Sequence, residues 1–87
     1  MKMKLIKLLK EVADENNLKL NILDNGVIII IKEDKAILQI AAVRDVYYIR
    51  YMDRNGSYIL RKLDKETIEK ILNGEVEKTE AIKIPDV

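Results

Sequence analysis

Five consecutive aliphatic residues, Val27-Ile28-Ile29-Ile30-Ile31, constrain the fold more than any other stretch of the chain. Successive side chains of a strand point to opposite faces, so a strand with no polar position is expected to be covered on both. The run is therefore predicted to be a central strand, with the remaining elements arranged around it.

The chain has 87 residues, 48% of them hydrophobic and 36% charged, with a formal net charge of +1. This balance belongs to folded globular proteins rather than to disordered tails, and the length suits one domain over residues 1–87. The absence of cysteine excludes a disulfide framework and a thiolate metal site. No histidine is present, and the longest apolar run is too short to cross a membrane as a helix. The expectation is a cytoplasmic protein with no membrane partner, no cofactor and no metal.

From Lys2 to Glu15, the residues Leu5, Ile6, Leu8, Leu9, Val12 and Ala13 recur at helical spacing and make one apolar stripe. The charges of this helix oppose its dipole, with lysines at 2, 4, 7 and 10 and acids at 11, 14 and 15, so packing must hold it in place. The lysines read either as a contact for an acidic partner or as a solvated face with Lys7/Glu11 and Lys10/Asp14 pairs.

Leu18, Leu20 and Ile22 alternate with polar residues as a half-exposed strand, and Asn25-Gly26 signals a two-residue hairpin turn into the Ile run. Turns at Glu33-Asp34, within Ala42–Asp45, and at Asp53–Gly56 predict three further strands, Ala36–Ala41, Val46–Met52 and Ser57–Lys62. Asp64 reads as the N-cap of a short second helix, with Leu63 and Ile68 as a hydrophobic staple and Gly74 as its C-terminal stop. Val76–Ile84 reads as a sixth, edge strand ended by Pro85. The fold class is α+β: a mainly antiparallel five- or six-stranded meander with both helices packed on one face.

Side-chain parity carried through these turns divides the sheet into two faces. With two-residue turns at Asn25-Gly26 and Glu33-Asp34, an inner face forms from Leu20, Ile22, Ile29, Ile31, Leu38, Ile40, Tyr47, Ile49, Tyr51, Tyr58 and Leu60. A four-residue loop over Asp53–Gly56 sets Tyr48 opposite Arg61, avoiding the Arg50/Arg61 repulsion that a two-residue loop would create. The outer face then has an aliphatic middle of Leu23, Ile28, Ile30, Ile37, Val46 and Ile59. Two helices cannot cover both faces of such a sheet, so an interaction surface is expected on the outer one.

Two readings of that surface follow. Self-association, most simply a homodimer, would bury the aliphatic middle. Residues 44–62 also carry five bases against two acids, and they interleave tyrosines with arginines. Tyr48, Arg50, Arg54, Arg61 and Lys62 are thus candidate contacts for single-stranded nucleic acid, by base stacking and phosphate binding. The alternative is a protein–protein interaction or structural domain with no nucleic-acid role. Catalysis is not expected: Ser57 is the only serine and sits beside a turn, and the carboxylates are scattered over turns and helix ends. No motif identifies a family.

Overall fold

In the computed structural model, which describes residues 2–85, the chain begins with helix α1 (Lys2–Glu15). Leu5, Leu9, Val12 and Ala13 are buried along one side of it, the i, i+4, i+7, i+8 stripe of a helix lying on a core. It stops at Asn17, which takes the left-handed conformation at φ +56°. The Leu18 N–H then reaches back to the Ala13 carbonyl at 2.9 Å, closing the helix end as a Schellman turn does.

Six antiparallel strands follow as a meander in which each neighbours the next: β1 (Lys19–Ile22), β2 (Ile28–Lys32), β3 (Lys35–Val43), β4 (Val46–Tyr51), β5 (Ser57–Leu60) and β6 (Ile82–Lys83). Helix α2 (Lys65–Leu72) lies between β5 and β6 in sequence. The α+β meander with an N-terminal and a C-proximal helix agrees with the sequence reading. The two faces of β2 do not.

Ile28 and Ile30, expected on the outer face, are 2% and 1% exposed and sit in the core, while Ile29 and Ile31 take the outward positions. The cause is the first hairpin. Leu23 donates its N–H to the Val27 carbonyl at 2.8 Å, leaving the three-residue loop Asp24-Asn25-Gly26 with Gly26 at φ +87°. An odd loop reverses the parity that a two-residue turn would have given. Leu20 and Ile22 consequently face Ile30 and Ile28 across the ladder.

A second irregularity cancels the first. Glu33 and Asp34 form the expected two-residue turn, both with positive φ as a type I′ turn requires. Beyond it the register shifts: Ile31 pairs with Ala36 but Ile30 with Leu38, so Ile37 is the extra residue of a β-bulge. Leu38 and Ile40 thereby return to the inner face. Tyr47, Ile49, Tyr51, Tyr58 and Leu60 follow on that face through the two-residue turn Arg44-Asp45 and the even β4–β5 connection.

One continuous core joins Leu5, Leu9 and Val12 of α1, the inner face of the sheet, Ile68 and Ile71 of α2, and Val76. Both helices therefore lie on the same side. The acids at the end of α1 do not pair with Lys7 or Lys10 among the described residues. Instead, Glu15 and Glu11 accept from Lys65 Nζ at 2.8 and 3.2 Å, which draws the start of α2 against the end of α1.

Helix α2 has the expected signals at both ends. The Asp64 carboxylate accepts the Thr67 N–H at 2.9 Å. At the other end the Glu75 N–H reaches the Lys70 carbonyl and the Gly74 N–H the Ile71 carbonyl, with Gly74 at φ +79°. The following segment differs from the sequence reading: Val76–Lys78 is a 3-10 turn and only Ile82–Lys83 forms strand. Thr79 explains the interruption, because its hydroxyl donates to the Val76 carbonyl at 2.6 Å and accepts from the Ala81 N–H at 3.1 Å.

Candidate functional site

With both helices on the inner face, no element among the described residues covers the outer face of the sheet. Cross-strand pairing arranges its outward side chains in rows that run across the strands. One row holds Asn21, Ile29, Gln39, Arg50 and Ser57, from β1 to β5. The next holds Ala41, Tyr48, Ile59 and Ile82, from β3 to β6, and beyond it Val43 pairs with Val46. On the other side of the polar row lies Ile31, between Lys19 on β1 and Ala36 on β3.

The outer face is therefore a polar band between two apolar zones. The larger zone is the strip Val43, Val46, Ile59 and Ile82. Within it Val43 is 53% and Ile82 69% exposed. Neither stood out in the sequence. Val43 adjoins a turn, and a continuous strand over Val76–Ile84 would set Val76 and Ile82 on the same face, whereas Val76 is buried and Ile82 lies open.

The residues singled out for self-association divide. Val46 and Ile59 are on the outer face and half-exposed, whereas Ile37, the unpaired residue of the bulge, packs against the core instead of the outer face expected for it. Leu23 is exposed at the tip of the first hairpin. Ile28 and Ile30 are enclosed in the core and reach no partner.

The residues singled out for nucleic acid also separate. Tyr48 and Arg50 share the outer face, and the Tyr48 hydroxyl lies 3.4 Å from Ser57 Oγ. The β4–β5 ladder places Tyr48 opposite Ile59 and Arg50 opposite Ser57, not Tyr48 opposite Arg61. This shift arises because the loop-closing pair is Tyr51 with Gly56, the Tyr51 N–H donating to the Gly56 carbonyl at 3.0 Å, so the four loop residues start at Met52. Arg61, just past β5, lines a shallow depression with Val43, Arg44, Asp45 and Val46 at one end of the hairpin.

Arg54 sits at the opposite end and is engaged internally. Its guanidinium lies 5.1 Å from the centre of the Tyr51 ring and pairs with Asp53 at 3.2 Å. The hydrogen bond to Asp53 raises the Arg54 pKa from its ordinary value. Lys62 projects towards α2, with Nζ 3.9 Å from the Asp64 carboxylate. The five residues do not converge on one surface.

The outward strand positions carry charge of one sign. The ionisable residues there are Lys19 and Arg50, and no Asp or Glu occupies an outward position of the paired strands. Among the described residues, no carboxylate forms a salt bridge with Lys19, Arg50 or Arg61. The groups whose pKa departs from its ordinary value serve helix ends, turns and packing: Asp64 lowered by Thr67, Lys65 raised by Glu15 and Glu11, and Tyr51 raised by burial. Among the described residues no cluster of three potential metal ligands occurs, and no helix is long and apolar enough to cross a membrane. Compared with known proteins, the chain matches no family model, no curated protein and no solved structure.

Proposed function

We propose that this chain is a small, non-enzymatic binding module of the cytoplasm that self-associates through the outer face of its sheet. The observation that supports this is the uncovered strip Val43, Val46, Ile59 and Ile82, apolar at every position and most exposed at its two ends. Such a surface is satisfied by a second copy laid against it about a two-fold axis, since each strip supplies what the other lacks. Four aliphatic side chains cover less than the roughly 800 Å² per partner of a standard interface, so micromolar association is expected.

An off-centre dimer of this kind leaves the polar band on β1–β5 open in both copies. Methyl NMR on serial dilution tests the reading. The Val43, Val46, Ile59 and Ile82 methyl signals are expected to move with concentration, while those of Leu38 and Ile40 stay fixed. Signals of the strip that remain unchanged up to millimolar concentration would rule it out.

A further inference from the structure

We infer that the polar band beside the apolar strip binds single-stranded nucleic acid. This rests on the outer face being the working surface, though not on its forming a dimer. The band runs from Lys19 and Asn21 on β1, through Gln39 on β3 and Arg50 on β4, to Ser57 on β5. Four strand spacings make it about 19 Å long. All its polar side chains are cationic or neutral, and most of them can donate hydrogen bonds.

Arg50 is the centre of the site. It is exposed, flanked across the ladder by the short or neutral side chains Gln39 and Ser57, and without a carboxylate partner among the described residues. The loop arginine of this hairpin, Arg54, is taken up by Asp53 and the Tyr51 ring. A guanidinium left open in this way offers planar, bidentate donation to a phosphate.

Tyr48 gives the band its preference among anions. It is the one tyrosine on the outer face, half-exposed, two residues before Arg50 and opposite the small side chain of Ala41. The other three tyrosines face the core side. An aromatic ring beside an arginine on an open sheet suits a base stacked next to its own phosphate, an arrangement available only to unpaired bases. An acidic peptide would use Arg50 and leave Tyr48 without a role. Duplex DNA keeps its base faces inside the stack.

Fluorescence anisotropy of a labelled oligonucleotide of about a dozen nucleotides, titrated with the full-length protein across a salt series, tests the inference. Micromolar binding is expected at low salt. Arg50→Ala should weaken it several-fold and reduce the slope of log K against log salt by about 0.7, the increment for one single-strand phosphate contact. Tyr48→Leu, which keeps an apolar side chain, should weaken binding about 5- to 100-fold with the slope unchanged.

Circular dichroism establishes that each variant is folded, and Arg50→Lys should restore the salt slope. No binding at low salt overturns the inference. So does equal binding by the Tyr48→Leu/Arg50→Ala double variant, and so does equally tight binding of a duplex or of polyglutamate. Ile82→Asn, which adds no charge to the face, separates the two readings. It should abolish self-association and leave oligonucleotide binding intact, whereas a protein that dimerises but binds no oligonucleotide retains the first reading and loses this one.

Discussion

The Tyr51 hydroxyl donates to the Ile71 carbonyl at 2.6 Å, tying the end of β4 to the last turn of α2. Around this bond the Tyr58 ring stands edge-on to Tyr51, at 6.1 Å between centroids, and Arg54 covers the ring at 5.1 Å. The β4–β5 loop, its strand ends and the second helix are therefore one packed unit. Removing the hydroxyl leaves the Ile71 carbonyl with only its bond from the Gly74 N–H. Tyr51→Phe is expected to lower unfolding free energy by about 1 kcal/mol, measured by urea denaturation.

The same residue sets a response to alkaline pH. Burial raises the Tyr51 pKa above its ordinary value of 10.0, with the Arg54 charge opposing the shift and Tyr58 adding to it. A tyrosine with a raised folded-state pKa contributes stability that is fully present below the unfolded-state value and is lost as pH rises through the folded-state value. Unfolding free energy should therefore fall above about pH 10. The fall should be shallower in Tyr51→Phe; identical alkaline limbs in the two proteins would contradict this assignment.

Gly56 makes the close packing of that unit possible. It lies at φ +144°, and a Cβ built there would come within 3.0 Å of Tyr58 Cε1 and 3.4 Å of Tyr51 Cδ2. Gly56→Ala combines backbone strain with displacement of a ring. A loss of about 1–3 kcal/mol is expected in chemical denaturation.

Strand parity in β2 gives a paired comparison. Ile30 is fully buried beneath the helices, whereas Ile29 faces outward between Asn21 and Gln39. Ile30→Ala should cost about 2–5 kcal/mol through lost burial and a cavity. Ile29→Ala should cost markedly less under conditions where the protein is monomeric. The reverse order would mean that β2 is flipped.

This comparison also marks where the sequence was legible. The 3.6-residue stripe of α1, the Asp64 cap, the Gly74 stop and the turns at Glu33-Asp34 and near Arg44-Asp45 each carry a local signal, and the elements formed where those signals stand. The Ile run carries none for register, because every position is apolar and either parity satisfies the pattern. Two features at and beyond its ends decided it: hydrogen bonding between Leu23 and Val27 makes the first loop odd, and Ile37 forms a bulge.

The open face itself followed from counting helices against sheet area, a conclusion that survives the exchange of Ile28 and Ile30 for Ile29 and Ile31. The convergence of Tyr48 and Arg50 was legible from alternation alone. The diversion of Arg54 and Lys62 was not, since it depends on a ring and a carboxylate brought close by the turn and by α2.

The most direct test of the outer face as an interface is sedimentation equilibrium of the wild-type protein beside the Val43→Asp/Ile82→Asp double variant, from about 5 to 500 μM, a range bracketing the micromolar association expected of a small interface. Both substitutions lie on exposed side chains, so the variant should keep the wild-type far-UV spectrum and melting temperature at low concentration. The wild type is expected to shift from monomer to dimer across this range, and the variant to remain a monomer. A wild type that stays monomeric at the highest concentration, or a variant that dimerises equally well, would contradict the account.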